Sequence, residues 1–299
     1  MVSFFSGMLV WEVVGGLYSM ADSPGFKSAG WILLATAGIC LLSFVDDRKG
    51  LPVAVRFIGH LVAAGALVWG GGLVLPSIQV PILGVVDLGW TAAPVTIVFL
   101  VWMANLYNFM DGMDGLAGGM TVLGFGLLAV LAWQAEHQFL LASAVLQSVA
   151  AAGFLFHNFP PAKLFMGDVG SVATGFLCGA LMLLGCRDGV FDLWVPLMVF
   201  SPFILDATAT LVRRAWNQRR LWEAHREHFY QRLVLSGWSH RRTVVSEYGL
   251  IVVSGGLALA YHYGTEAFRP TVILVWILLH VVAASAVFWI ERRALRVGV

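Results

Sequence analysis

Charge is what this chain has least of: Asp, Glu, Lys and Arg make up only 12% of its 299 residues, about half the roughly 25% of a soluble domain. That shortage excludes a soluble globular protein. The net charge of +1 is slight, and no nucleic-acid partner is expected. Cysteine is scarce as well. Cys40, Cys178 and Cys186 lie in or at the end of apolar segments, which suggests neither a disulfide framework nor a thiolate metal site. No basic leader precedes the first apolar stretch, so a cleavable signal peptide is not expected. Nor is there a low-complexity tract, an internal repeat or a soluble module, and residues 1–299 read as one integral membrane domain.

Apolar surface is abundant. The chain is 59% hydrophobic, carries 12 Trp and 20 Phe, and has a mean hydropathy of +0.83. This is the composition of an all-α polytopic membrane protein. Apolar runs of about 17 to 25 residues suit membrane-spanning helices. About ten are expected, over 3–20, 29–45, 54–74, 91–108, 116–133, 139–157, 171–186, 191–212, 243–262 and 270–290. The interlude near 75–90, with two prolines, glycines and β-branched residues, predicts a short periplasmic β-hairpin instead.

Lys and Arg collect on the cytoplasmic side of membrane proteins. With these spans, one set of loops holds all of the 18 basic residues except Lys27, Arg187 and Arg269, that is 18 − 3 = 15. That side is read as cytoplasmic, with both chain ends there. Four polar clusters share it. Asp46 and Asp47 end a helix that is apolar up to Val45, where acids oppose the helix dipole. A bound cation, a proton-accepting role, or neutralisation by Arg48 and Lys49 would each account for them.

The second cluster, NLYNFMDGMDGLAGG at 105–119, places Asn105, Asn108, Asp111 and Asp114 three residues apart, so they drift slowly around one face. Its glycines allow close backbone approach, and its hard oxygen donors suit magnesium holding phosphates. A polar loop between spans is the plainer alternative. In the third, Gly167, Asp168, Gly170 and Ser171 lead into a helix whose N-terminus would attract an anion, or where Asp168 is simply a cap. The fourth is the basic loop 213–242, where His225 and His228 share a helical face with Arg226 and Arg232 nearby. Arg213, Arg214, Arg241 and Arg242 read as a grip on anionic lipid headgroups. Together the clusters describe metal-assisted phosphoryl transfer to a substrate dissolved in the bilayer. Glu12, His60, Asp206 and His280 sit within apolar segments, Asp206 reading as an interhelical polar contact and the two histidines as neutral packed side chains.

DDRKGL, NLYNFMDGMDGLAGG, PAKLFMGDVGS and HREHFYQRL, in this order over about 29–243, resemble the polyprenyl-phosphate N-acetylhexosamine-1-phosphate transferases of glycosyltransferase family 4. That superfamily includes the phospho-MurNAc-pentapeptide transferase, and the histidine motif looks most like the branch that initiates O-antigen or related surface polysaccharides. The resemblance implies transfer of a sugar 1-phosphate from a UDP-N-acetylhexosamine to undecaprenyl phosphate in the bacterial inner membrane. UMP is released, Mg2+ or Mn2+ is used, and a homodimer is common. It implies Asp168 as metal ligand with Asp111 beside it, and Asp46 and Asp47 acting on the acceptor phosphate. Asn108 and Asp114 would hold the nucleotide, Phe165 would stack on uracil, and His225 with His228 would face the diphosphate or sugar, with Asn105 and Arg226 as further substrate-binding candidates. Lys49 and Arg56 would meet the lipid phosphate.

Two departures stand out. The chain looks short of the family's first helix and first cytoplasmic loop, and Glu227 sits where many relatives have a denser histidine cluster. An intramembrane prenyltransferase also uses paired aspartates but has no need of the histidine loop. A transporter would carry its acids near the bilayer midplane rather than at one surface.

Overall fold

The computed structural model describes residues 24–80, 84–220 and 225–297. The expected span at 3–20, with Glu12, lies outside them. The helices are α1 Pro24–Lys49, α2 Val53–Gly65, α3 Ala92–Met110, α4 Leu116–Gln134, α5 Gln138–Asn158, α6 Gly167–Arg187, α7 Trp194–Val199, α8 Ser201–Trp216, α9 Phe229–Leu235, α10 His240–Tyr263 and α11 Arg269–Val297. Among the described residues, eight helices are long and apolar enough to cross a membrane. The expected span 191–212 is broken at Phe200 into α7 and α8, because Pro202 has no N–H to continue the ladder and fits the first turn of a new helix. The chain is therefore a polytopic, all-α membrane protein. Among the described residues the one sheet is the expected hairpin, β1 Ser77–Val80 against β2 Gly84–Asp87, antiparallel with Ser77 opposite Asp87.

Helix α6 is the axis of the bundle. Its span is 83% buried, against 11% for the span in α11. It packs along α1 and α3. Two glycines explain how closely: a Cβ on Gly175 would lie 2.3 Å from the Met103 carbonyl oxygen and 3.0 Å from Ala104 Cα, and one on Gly179 would lie 3.1 Å from Met103 Cβ. Small residues four apart let membrane helices approach backbone to backbone. A side chain here would part α3 from α6 at the level that leads to the polar clusters. Gly175→Val is expected to destabilise the fold by about 1–3 kcal/mol, as overpacking does, read as a lowered melting temperature in detergent.

Polar groups gather at the two ends. The hairpin end holds Asp188, which is bonded to His137 at 2.9 Å and to Arg187 at 2.7 Å. Burial alone would raise this carboxyl, but the hydrogen bonds from His137 and Arg187 hold it down at about 2. Exposed Trp69 and Trp90 flank that end and Trp216 and Trp289 the other, as amphipathic rings do at membrane interfaces.

Candidate active site

All four sequence clusters meet at the basic end, where α1, α2, α3, α6 and the loop before α9 enclose a cleft of about 360 Å3. Asp46, Arg56, His60, Asn105, Asn108, Asp168, His225, His228 and Gln231 line it. Helix α6 starts four residues earlier than its apolar run, so Asp168 stands in the first turn, where a carboxylate complements the dipole. Asn108 Nδ2 donates to Asp168 Oδ1 at 2.8 Å and to Ser171 Oγ at 3.0 Å. These bonds tie α3 to α6 at the centre of the cleft.

Asp46 and Asp47 sit side by side in the last turn of α1 but face different partners. Asp46 accepts from the Leu51 amide at 2.6 Å and from Arg56 at 2.9 Å. Its neutralising cation is therefore Arg56, rather than Arg48 or Lys49. Arg56 also reaches within 3.7 Å of Asp168. Asp47 accepts the Val169 amide in the first turn of α6 and has no cationic partner among the described residues. Lys49, at the end of α1, is exposed and does not line the cleft.

The three-residue spacing of the second cluster holds through Asp111. Helix α3 ends at Met110, and Asp111 caps it with φ −83° and ψ 31°. Burial, and then the charge of Asp168, push the Asp111 carboxyl up to about 7. Asp114 turns away and accepts the Ala162 amide at 3.0 Å, with His240 at 3.7 Å. Asn105 bonds back to the Val101 carbonyl at 2.7 Å and lies 3.4 Å from His60. His60 is buried, as expected of a packed histidine, but it also lines the cleft.

The glycines here approach protein rings: a Cβ on Gly112 would meet the Tyr230 hydroxyl at 2.2 Å, and one on Gly119 the Tyr248 ring at 2.0 Å. The close approach inferred from the motif is thus to side chains of α9 and α10. Gly115, at φ +77°, makes the turn into α4.

Of the predicted groups, Asp47, Lys49, Asp111, Asp114, Phe165 and Arg226 do not line the main cleft. Phe165 is 74% exposed and lines a separate cavity with Gln147, Phe154 and Thr174. Arg226 borders a neighbouring cavity of about 240 Å3 with Gly112, Tyr230 and His240, which shares Gln231 with the main one.

His225 and His228 come together as expected, with ring centres 4.9 Å apart. Burial, then the charges of His228 and Arg214, hold His225 down at about 4. Arg213 and Arg214 bind Glu227 rather than the lipid headgroups expected of them, Arg214 at 2.5 Å, with Arg219 joining at 2.7 Å. Burial would raise the Glu227 carboxyl, but hydrogen bonding from Arg219 and the charge of Arg214 bring it below its usual value. Glu227 is therefore an anchor that pins the loop to the end of α8. Sequence reasoning also underrated Asp206, whose carboxylate meets His228 Nδ1 at 3.1 Å and the Phe229 amide at 2.9 Å. The only signal for it was an acid in an apolar segment.

Among the described residues no group of three or more His, Cys, Asp or Glu could hold a metal on its own. Magnesium, however, is commonly held by one or two carboxylates together with substrate phosphates. Asp111 and Asp168 fit that pattern, since each lies in the other's field and a divalent cation would relieve their repulsion.

Residues 30–186 match the family model described as glycosyl transferase family 4. The chain belongs to that family. It is 32% identical over 250 residues to a protein named probable undecaprenyl-phosphate N-acetylglucosaminyl 1-phosphate transferase from Bacillus subtilis, covering 83% of this chain and 68% of the relative. It is 30% identical over 230 residues to the phospho-N-acetylmuramoyl-pentapeptide-transferase of Halalkalibacterium halodurans, covering 72% and 68%. Against the decaprenyl-phosphate N-acetylglucosaminephosphotransferase of Mycobacterium tuberculosis the figures are 32% over 269 residues, 79% and 66%. The chain thus spans about two thirds of the length of these relatives. The family match covers three of the four motifs, and the histidine loop lies beyond it.

Proposed function

We propose that this family 4 protein transfers an N-acetylhexosamine 1-phosphate from a UDP-sugar to undecaprenyl phosphate, releasing UMP and forming an undecaprenyl-diphospho-sugar. The observation that carries the reading is the single cleft at the membrane surface in which Asn108, Asp168, Arg56 and His228 converge. An oxygen of the lipid phosphate attacks the β-phosphorus of the donor, the bond to the bridging oxygen breaks, and UMP leaves with that oxygen. The names of the relatives support both the polyprenyl-phosphate acceptor and an N-acetylated sugar.

Each group then has a task. Arg56, oriented by Asp46, holds the acceptor phosphate, for which a guanidinium is well shaped. Asp47 has no cationic partner among the described residues and takes the proton of that phosphate. Asn108 orients Asp168. Magnesium, held by Asp111 and Asp168, would supply charge stabilisation for the transferring phosphoryl group. His228 faces the donor. With 15 of 18 basic residues at this end, the site lies on the cytoplasmic face of the bacterial inner membrane, where UDP-sugars are available. Initiation of O-antigen or another surface polysaccharide is the role that follows.

Purified protein in detergent, given undecaprenyl phosphate, magnesium and a panel of UDP-N-acetylhexosamines, should release UMP. Release should require the lipid and stop on addition of EDTA. UMP formation that ignores the lipid, or its absence with every donor, would overturn the reading.

A further inference from the structure

We propose that Asp206 is a positioning residue for this reaction. It holds the Nδ1 proton of His228 and so turns Nε2 into the cleft, where it hydrogen-bonds the diphosphate of the sugar donor. The inference deepens the transferase reading and rests on it.

The two residues come from different parts of the fold, Asp206 from the second turn of helix α8 and His228 from the position just before α9. Both are almost wholly buried, at 6% and 2% exposure. A buried carboxylate must be satisfied by hydrogen bonds. Asp206 has four donors: His228 Nδ1 at 3.1 Å, the Phe229 amide at 2.9 Å, the Tyr230 amide at 3.3 Å and Thr210 Oγ1 at 3.1 Å. Arg213 and Arg214 are held by Glu227, so neither supplies the counter-charge.

An ionised carboxylate accepts only, so the proton of the His228–Asp206 bond belongs to Nδ1. That choice leaves Nε2, on the opposite side of the ring, for the cleft that His228 lines. Carboxylates that hold one imidazole nitrogen fix both the tautomer and the ring orientation of the other. The ring is clamped as well, lying nearly parallel to Tyr230 at 5.8 Å and stacked on Phe109 at 6.5 Å. His225 has no such support, for its Nδ1 is buried without a hydrogen-bond partner. Of the two histidines, His228 is the one built to present a defined nitrogen. The amides of Phe229 and Tyr230 serve the same end, because through them one carboxylate sets both the start of α9 and the ring that precedes it.

The test uses the full chain in lipid nanodiscs. Asp206→Asn keeps an oxygen that can accept the α9 amides but removes the charge that assigns the Nδ1 proton. Its kcat for UMP release is expected to fall about 10- to 100-fold, the usual effect of losing such an orienting partner, with the KM for undecaprenyl phosphate unchanged. In a His228→Gln background the same substitution should add no further loss. Deuterium exchange at the imidazole C2 position, read by mass spectrometry, should change at His228 in Asp206→Asn and stay constant at His137 and His157. An unchanged His228 exchange rate, or an equal loss of kcat with and without His228, would overturn the proposal. A wild-type protein that releases no UMP defeats the transferase reading instead, and the exchange measurement still decides the Asp206–His228 pairing.

Discussion

Asp168→Asn should lower UMP release by at least about 10³-fold, the effect of some 4 kcal/mol of lost transition-state stabilisation at 1.36 kcal/mol per decade. The size follows from where Asp168 stands. It accepts from Asn108, lies 3.7 Å from Arg56, and shares with Asp111 the field that would receive a divalent cation. Asparagine keeps the shape and an acceptor oxygen for Asn108, so the α3–α6 contact survives and the melting temperature should stay close to that of the parent protein. What disappears is negative charge at the centre of the cleft. Metal titration of the residual activity should show a weakened dependence on magnesium. Near-normal turnover in this variant would remove the assignment of the site.

The second large effect is expected at Asp47. Its carboxylate receives the Val169 amide, forms no ion pair among the described residues, and lies in the fields of Asp168 and Asp46. Asp46, one residue earlier, is neutralised by Arg56. Of the two, Asp47 is therefore the one free to take a proton, and general-base catalysis is commonly worth about 10²- to 10⁴-fold. Asp47→Asn should lose activity in that range while keeping an acceptor for Val169. Asp47→Ala should lose the same activity and some stability in addition, because the first turn of α6 then gives up a cap contact. Asp46→Asn should act differently, through Arg56, raising the KM for undecaprenyl phosphate more than it lowers kcat. Equal kcat losses at the two positions would erase this division of labour.

Much of this molecule can be read from its sequence, and the reason is physical. Long apolar runs have one stable solution in a bilayer, so the spans at 91–108, 116–133 and 139–157 appear within two residues of their expected ends. The hairpin follows from two prolines and β-branched residues at the ends of adjacent spans. Polar clusters at span ends must meet if the topology is right, and Asn108, Asp168 and His228 do. Tertiary partners are another matter. That Arg56 would pair with Asp46, or that Arg213 and Arg214 would bind Glu227 rather than lipid, depends on helix azimuths that a run of apolar residues leaves free. The same freedom put Phe165 in a cavity of its own and turned Asp114 toward the loop at Ala162. Asp206 shows the limit most clearly. Its partner is 22 residues away across a loop, and only the packing of α8 under α9 brings them together.

The most direct test is to identify both products of one turnover with undecaprenyl phosphate and a UDP-N-acetylhexosamine, by mass spectrometry and phosphorus NMR. Attack at the β-phosphorus yields UMP and a lipid carrying a diphosphate between its chain and the sugar, in equal amounts, and both should be lost in Asp168→Asn. UDP together with a lipid monophospho-sugar would mean that the glycosidic carbon, and not the phosphorus, is the reacting centre, and would contradict phosphoryl transfer in this cleft.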